Sequence, residues 1–345
     1  MSASSRSHRR SLLRLAPGLL ISIFFLWYTF RDISFAQIRT VRVVHPAWWL
    51  GIVFFTYAAS FLRCVRWHQM LRSTSARFLD SARVLMTSFA ANNILPFRIG
   101  DIMRIFTYAP DLGTSPSVIL STVIFEKLLD VFVLVLFFVV SMGPSVGHHS
   151  RVMAATLLWI STAGLLGMIL GARTLEPLLC RLFDHWSDRI PQDSKLGPYL
   201  KKLEHWILLA LDCIRQIGIV GSLWLLAQTV VIWIAEGMIF VSGVHLIGLA
   251  VDGKGPWMAL SAANLSYLIP SSPGGIGAFE WATKTSLVSH GALDGVAALF
   301  GLALHAWMLV SITAAGGAIF IVHRIRIHSS TPLLEEIEAL PTEMP

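Results

Sequence analysis

The chain has 345 residues, 55% of them hydrophobic and 14% charged, with a mean hydropathy of +0.67. A water-soluble domain of that composition would leave too much apolar surface exposed, so the composition excludes one and predicts an integral membrane protein. The net charge of +7 has no basic stripe interleaved with aromatics outside the helix flanks, so it reads as membrane orientation and anionic headgroups, with no nucleic acid as partner.

In chain order, residues 1–14 form a basic N-terminus with Arg6, His8, Arg9, Arg10 and Arg14. The apolar run 15–30 lacks a small-x-small cleavage signal near Phe30-Arg31-Asp32 and reads as an uncleaved first span. Pro17 stands in its first turn, where a missing N–H costs nothing. A second span, 48–62, ends in a dense basic loop with Arg63, Arg66, Arg72, Arg77 and Arg83. The apolar piece 84–95 is shorter than the roughly 20 residues a crossing helix needs, and it breaks at Pro96. Full spans follow at 118–140 and 152–170.

Residues 172–216 are polar but periodic. Leu175, Leu178, Leu179, Leu182, Phe183 and Trp186 recur at helical spacing, as do Leu200, Leu203, Trp206 and Ile207. This predicts an amphipathic cytoplasmic hairpin lying on the membrane. A span at 222–247 comes next. A second short piece, 257–269, breaks at Pro270-Ser271-Ser272-Pro273-Gly274-Gly275-Ile276-Gly277 and resumes at 278–290. The last span is 296–322, and 323–345 reads as a flexible cytoplasmic tail. Cys64, Cys180 and Cys213 form no CxxC pair and no disulfide framework, and read as apolar fillers.

The fold class is therefore an all-α polytopic membrane protein. It has about six spanning helices, two broken re-entrant hairpins, and a transmembrane domain over 15–322. Basic residues crowd the N-terminus, 63–83, 173–215 and 323–326, which puts both termini in the cytoplasm; Arg31, Arg39 and Arg42 count against this. By that count the hairpin around Pro96 opens inward and the one around Pro273 opens outward, the geometry of an inverted repeat. Pro96-x-x-Ile99-Gly100 and Pro273-x-x-Ile276-Gly277 are a faint internal echo of it.

The charged residues carry the candidate chemistry. If the helix restarts after Pro96, Arg98, Asp101 and Arg104 share one face. Two guanidiniums around one carboxylate at a helix N-terminus suit a phosphate or phospholipid headgroup; the plainer alternative is an internal salt bridge. Glu126 and Asp130 lie one turn apart and need cations, for which Arg98 and Arg104 are nearest in sequence. Glu236 sits mid-span, a candidate for proton coupling or for contact with a cationic headgroup. Gly274, Gly275 and Gly277 let backbone approach a ligand, with Glu280 one turn on. No nucleophile or metal partner accompanies the acids, so neither a catalytic residue nor a metal or other cofactor is expected. His245 and His305 read as packing histidines.

Together these motifs resemble the transmembrane, flippase-like region of lysylphosphatidylglycerol synthetases. They are Pro96-Phe97-Arg98-Ile99-Gly100-Asp101-Ile102-Met103-Arg104, then Glu126-Lys127-Leu128-Leu129-Asp130, then Pro273-Gly274-Gly275-Ile276-Gly277-Ala278-Phe279-Glu280, with Arg66-Trp67 after the second span. Asp101 stands where the family usually has glutamate, and no polar stretch of domain length reads as the soluble aminoacyl-transfer domain. The resemblance implies a translocase that is no enzyme. It would bind the phosphate of a phospholipid or polyprenyl-phosphate lipid in a central polar cavity of the cytoplasmic (inner or plasma) membrane. Arg98, Asp101, Arg104, Glu126, Asp130, Gly274, Gly275, Gly277 and Glu280 would line the site. Two alternatives remain: an integral-membrane lipid-modifying transferase, and a non-transporting partner subunit of a membrane-bound or cytoplasmic glycosyltransferase.

Overall fold

A computed structural model describes residues 20–31, 39, 41–142, 147–174, 181–182, 197–269 and 272–338. Those residues form α1 (Leu20–Phe30), α2 (Trp48–Met70), α3 (Phe78–Ile94), α4 (Ile99–Phe106), α5 (Pro116–Ser141), α6 (His148–Thr174), α7 (Gly197–Ile247), α8 (Gly255–Leu265), α9 (Ala278–Ser289) and α10 (Asp294–Glu338), with no strand among them. Three stretches, Trp48–Met70, Arg215–Ile247 and Asp294–Ile325, are long and apolar enough to cross a membrane by length and composition. The expected spans map onto α1, α2, α5, α6, α7 and α10. The chain is an all-α polytopic membrane protein.

Three boundaries differ from the sequence reading. α2 runs on to Met70, so Arg63 and Arg66 are helical residues and not part of a basic loop. Its charges find carboxylates on α5 and α7, as described below, so the helix has no reason to stop at them. α3 begins at Phe78 and takes in Arg83. α10 continues to Glu338, through residues read as a loose tail. Of the hairpin expected at 172–216, most of the first arm lies outside the described residues. The second arm is helical and joins the span through a kink at Gly218, whose φ of 68° suits glycine.

α3–α4 and α8–α9 are the two broken hairpins. Their helices have 17, 8, 11 and 12 residues, none enough to cross. The first hairpin packs on α10, where Asn93 donates to Thr313 Oγ1 at 3.0 Å. Within it α4 lies tight on α3; a Cβ on Gly100 would come 2.0 Å from the Ser88 carbonyl oxygen. The second hairpin packs on α1. Ser272 N–H donates to Ser22 Oγ at 2.8 Å, and Lys284 Nζ donates to the Thr29 carbonyl at 3.0 Å. Gly277, at φ 95°, is the residue before α9; a Cβ there would lie 2.6 Å from the Ser22 carbonyl oxygen.

Two apolar clusters build the interior. One gathers Trp67, Leu71, Leu85, Ile105, Phe125, Leu129 and Leu225. The other gathers Ile52, Val133, Trp233, Phe240, Ala263, Phe279 and Phe300. On α5 the change from one cluster to the other falls between Leu129 and Val133; on α7 it falls between Leu225 and Trp233. Asp130 and Thr229, both bonded by Arg66, lie in that seam.

Candidate functional site

The two breaks share a backbone plan. Pro96-Phe97-Arg98 and Pro273-Gly274-Gly275 are both short 3-10 turns that begin with proline. The two residues after each proline are left-handed: φ is 56° and 52° at Phe97 and Arg98, and 70° and 73° at Gly274 and Gly275. The turns part at the isoleucine, where ψ is −27° at Ile99 and 133° at Ile276. Glycine adopts this conformation without cost, whereas an L side chain in it is strained by about 1–2 kcal/mol. Phe97 and Arg98 are the only non-glycine residues with positive φ among those described. Strain of this kind persists where a side chain is needed for something other than folding.

The breaks also touch. Gly274 sits at the end of α3, where a Cβ would lie 3.5 Å from the Asn93 carbonyl oxygen. Arg98 is exposed, and its guanidinium lies 5.6 Å from the centre of the Tyr267 ring, just before the second break. Phe97 beside it is 64% exposed.

Behind the first break runs a buried ladder of charges. Arg104 is fully buried; its Nη2 donates to Glu126 Oε2 at 3.1 Å and its plane lies 4.8 Å over Trp67. Arg66, also buried, donates to both oxygens of Asp130 at 2.7 and 3.3 Å and to Thr229 Oγ1 at 2.8 Å. Glu126 Oε1 lies 3.7 Å from Arg66 and 3.8 Å from Lys127. Trp233 Nε1 donates to Asp130 at 3.1 Å. One turn up α2, Arg63 forms a close ion pair with Glu236 and lies over the Trp233 ring. Each buried acid of the ladder thus has a buried or half-buried guanidinium, the condition under which charge survives away from water.

The second break is held by Glu280 and His305. Glu280 Oε2 accepts the Gly277 N–H at 2.6 Å, closing the first turn of α9. Glu280 Oε1 is 2.7 Å from His305 Nδ1, and His305 Nε2 is 3.0 Å from the Gly274 carbonyl oxygen and 3.3 Å from Tyr267 Oη. A carbonyl oxygen only accepts, so Nε2 carries a proton. The Nδ1–Oε1 contact joins an acid and an imidazole, either of which can supply its proton.

The sequence reading located most of these residues but mispaired them. Arg98 does not share a helical face with Asp101 and Arg104, because α4 begins at Ile99 and Arg98 stands outside it. Asp101 is bonded by Asn92: the Asn92 amide donates to its side chain and its own N–H donates to Asn92 Oδ1, both at 3.1 Å. Arg104 does serve Glu126, but Asp130 is served by Arg66, not Arg98. Glu236 lies mid-helix with Arg63 as partner. Arg63, Asn92, Thr229, Trp233, Tyr267 and the polar role of His305 had no motif to announce them; Arg66 stood in the Arg66-Trp67 resemblance and, like Arg63, in the expected basic loop. A cavity of about 470 Å³ lies elsewhere, between His45, His245, Asp252 and Trp257. On that rim the His290 ring N–H donates to Asp252 at 2.9 Å, and with the Lys254 and Gly255 N–H groups it holds the Asp252 carboxyl below its usual range. No group of three or more His, Cys, Asp or Glu able to hold a metal occurs among the described residues.

Residues 15–316 match the family model described as lysylphosphatidylglycerol synthase TM region. No curated protein and no solved structure matches the chain.

Proposed function

The chain belongs to the lysylphosphatidylglycerol synthase TM region family, and from that premise we propose that this integral membrane protein moves a lipid between leaflets by its phosphate headgroup. The observation that carries the reading is Arg98. It is an exposed guanidinium where two broken hairpins meet, held in a backbone conformation that the matching turn gives to glycine. Guanidinium forks match phosphate oxygens. Helical breaks at membrane depth are tolerated where they are buried in protein or line a polar path. The ladder behind Arg98 supplies a polar interior, and the lipid tails stay in the bilayer.

The protein acts as a transporter and not as an enzyme. Its substrate is a phospholipid or a polyprenyl-phosphate lipid, and its setting is the cytoplasmic membrane with both termini inside. A glycosyltransferase that uses the delivered lipid is a fitting partner. Glu236 is the proton-coupling candidate, and Arg63 is its ion-pair partner. The Glu280–His305 pair, which contacts the Gly274 turn, is a second candidate. The headgroup assignment is tested by a photo-crosslinking residue at the exposed position 97. Captured lipids should carry phosphate; capture of phosphate-free lipids alone would overturn it.

A further inference from the structure

Arg104 is bonded in an unusual way for a fully buried arginine. Only Nη2 has a hydrogen-bond partner, one oxygen of Glu126; Nε and Nη1 have none among the described residues. A guanidinium offers an acid two forks, Nε with Nη2 and Nη1 with Nη2. Nη2 belongs to both. A single oxygen on Nη2 takes one of its two N–H donors, so it fills neither fork, and its negative charge opposes any other oxyanion at this arginine.

Glu126 has somewhere else to go. Its other oxygen is already 3.7 Å from Arg66 Nη2 and 3.8 Å from Lys127 Nζ. A rotation off Arg104 leaves the carboxylate between two cations. The charges also favour an incoming anion. Arg66, Arg98, Arg104 and Lys127 face Asp101, Glu126 and Asp130, a surplus of one positive charge; Arg63 and Glu236 cancel. A phosphate diester carries one negative charge. Lys127 is 39% exposed, so the surplus sits at the edge of the ladder and costs little to maintain.

We infer that Glu126 is a displaceable internal anion guarding Arg104, and that the phosphate of the bound lipid exchanges with it. This rests on the phosphate-lipid reading above and adds a second arginine to it. Arg98 meets the headgroup first, at the surface. Arg104 takes it only when Glu126 swings to Arg66 and Lys127. The exchange breaks no covalent bond and moves no net charge on the protein. It also makes the site selective: a headgroup without an oxyanion cannot displace a carboxylate.

The test uses the full chain in detergent micelles with short-chain phosphatidylglycerol as probe and diacylglycerol as the uncharged control. Glu126→Gln removes the internal anion and should bind phosphatidylglycerol roughly ten-fold more tightly, the scale of one charge-assisted hydrogen bond. Adding Arg104→Gln should abolish that gain. Lys127→Gln removes the second seat of Glu126 and should weaken binding roughly three-fold. A folded Glu126→Gln protein with wild-type affinity overturns the inference. If that variant does not fold, Glu126→Asp, which keeps the charge but shortens the reach to Nη2, takes its place. Unchanged affinity in both Glu126→Asp and Lys127→Gln overturns it equally. Wild-type protein that does not prefer phosphatidylglycerol to diacylglycerol defeats the phosphate-lipid reading itself. Wild-type preference with no response to the Glu126 and Lys127 variants defeats only the guard.

Discussion

Replacing Phe97 by glycine should stabilise this protein. Phe97 holds φ 56° and ψ 24°, a conformation that strains an L residue by about 1–2 kcal/mol. Glycine removes that strain and returns about 0.4–1 kcal/mol of it through the greater freedom of the unfolded chain. The ring is 64% exposed, so little packing is lost. The net gain is about 0.5–1 kcal/mol. Arg98→Gly relieves the same strain but removes the guanidinium from Tyr267, a contact worth about 0.5–2 kcal/mol. It should therefore leave stability near wild type while transport collapses. Denaturant unfolding in mixed micelles, followed by tryptophan fluorescence, would rank the three proteins. A loss of more than about 1 kcal/mol in Phe97→Gly would refute the claim of strain.

The opposite change should be costly at the second break: Gly275→Ala puts a Cβ 2.3 Å from the Tyr267 ring and should destabilise by more than about 2 kcal/mol, read in the same assay. Arg66→Gln leaves Asp130 buried without its cation and should cost about 3–5 kcal/mol; a cost under about 1 kcal/mol would mean that Asp130 is not ionised there. Asp252 has a lowered carboxyl pKa, so its contribution is full above the unfolded value of 3.8 and is lost as pH falls through the lower folded value. Asp252→Asn should thus weaken the protein at neutral pH, and the gap to wild type should close in strong acid. Single cysteines at positions 115 and 252 should be labelled from inside and outside respectively; label reaching position 115 only from outside would remove the opposed hairpins.

The spans in α2, α7 and α10 were legible because each is a long apolar run, and so were the breaks, because proline and glycine cannot continue a helix. The matched turns at Pro96 and Pro273 stood in the sequence only as a shared proline, isoleucine and glycine. The left-handed pair at Phe97 and Arg98 could not be read, since those residue types argue against it. The pairing of charges was hidden for another reason. Arg66 meets Asp130 and Thr229 across 64 and 163 residues, and Arg63 meets Glu236 from another helix. Seen in sequence, both arginines look like the basic flank of a helix that ends before them. Which acid takes which arginine depends on how helices rotate against each other, and local spacing does not carry that.

The most direct measurement of the central claim is lipid movement itself. Purified protein in sealed liposomes, with fluorescent phosphatidylglycerol in one leaflet, should carry the label to the other leaflet and return it chemically unchanged. Arg98→Gln, folded to the same extent, should slow that movement to the rate of protein-free liposomes. Movement at the protein-free rate by the wild type, equal movement by Arg98→Gln, or recovery of a chemically altered lipid would contradict the account.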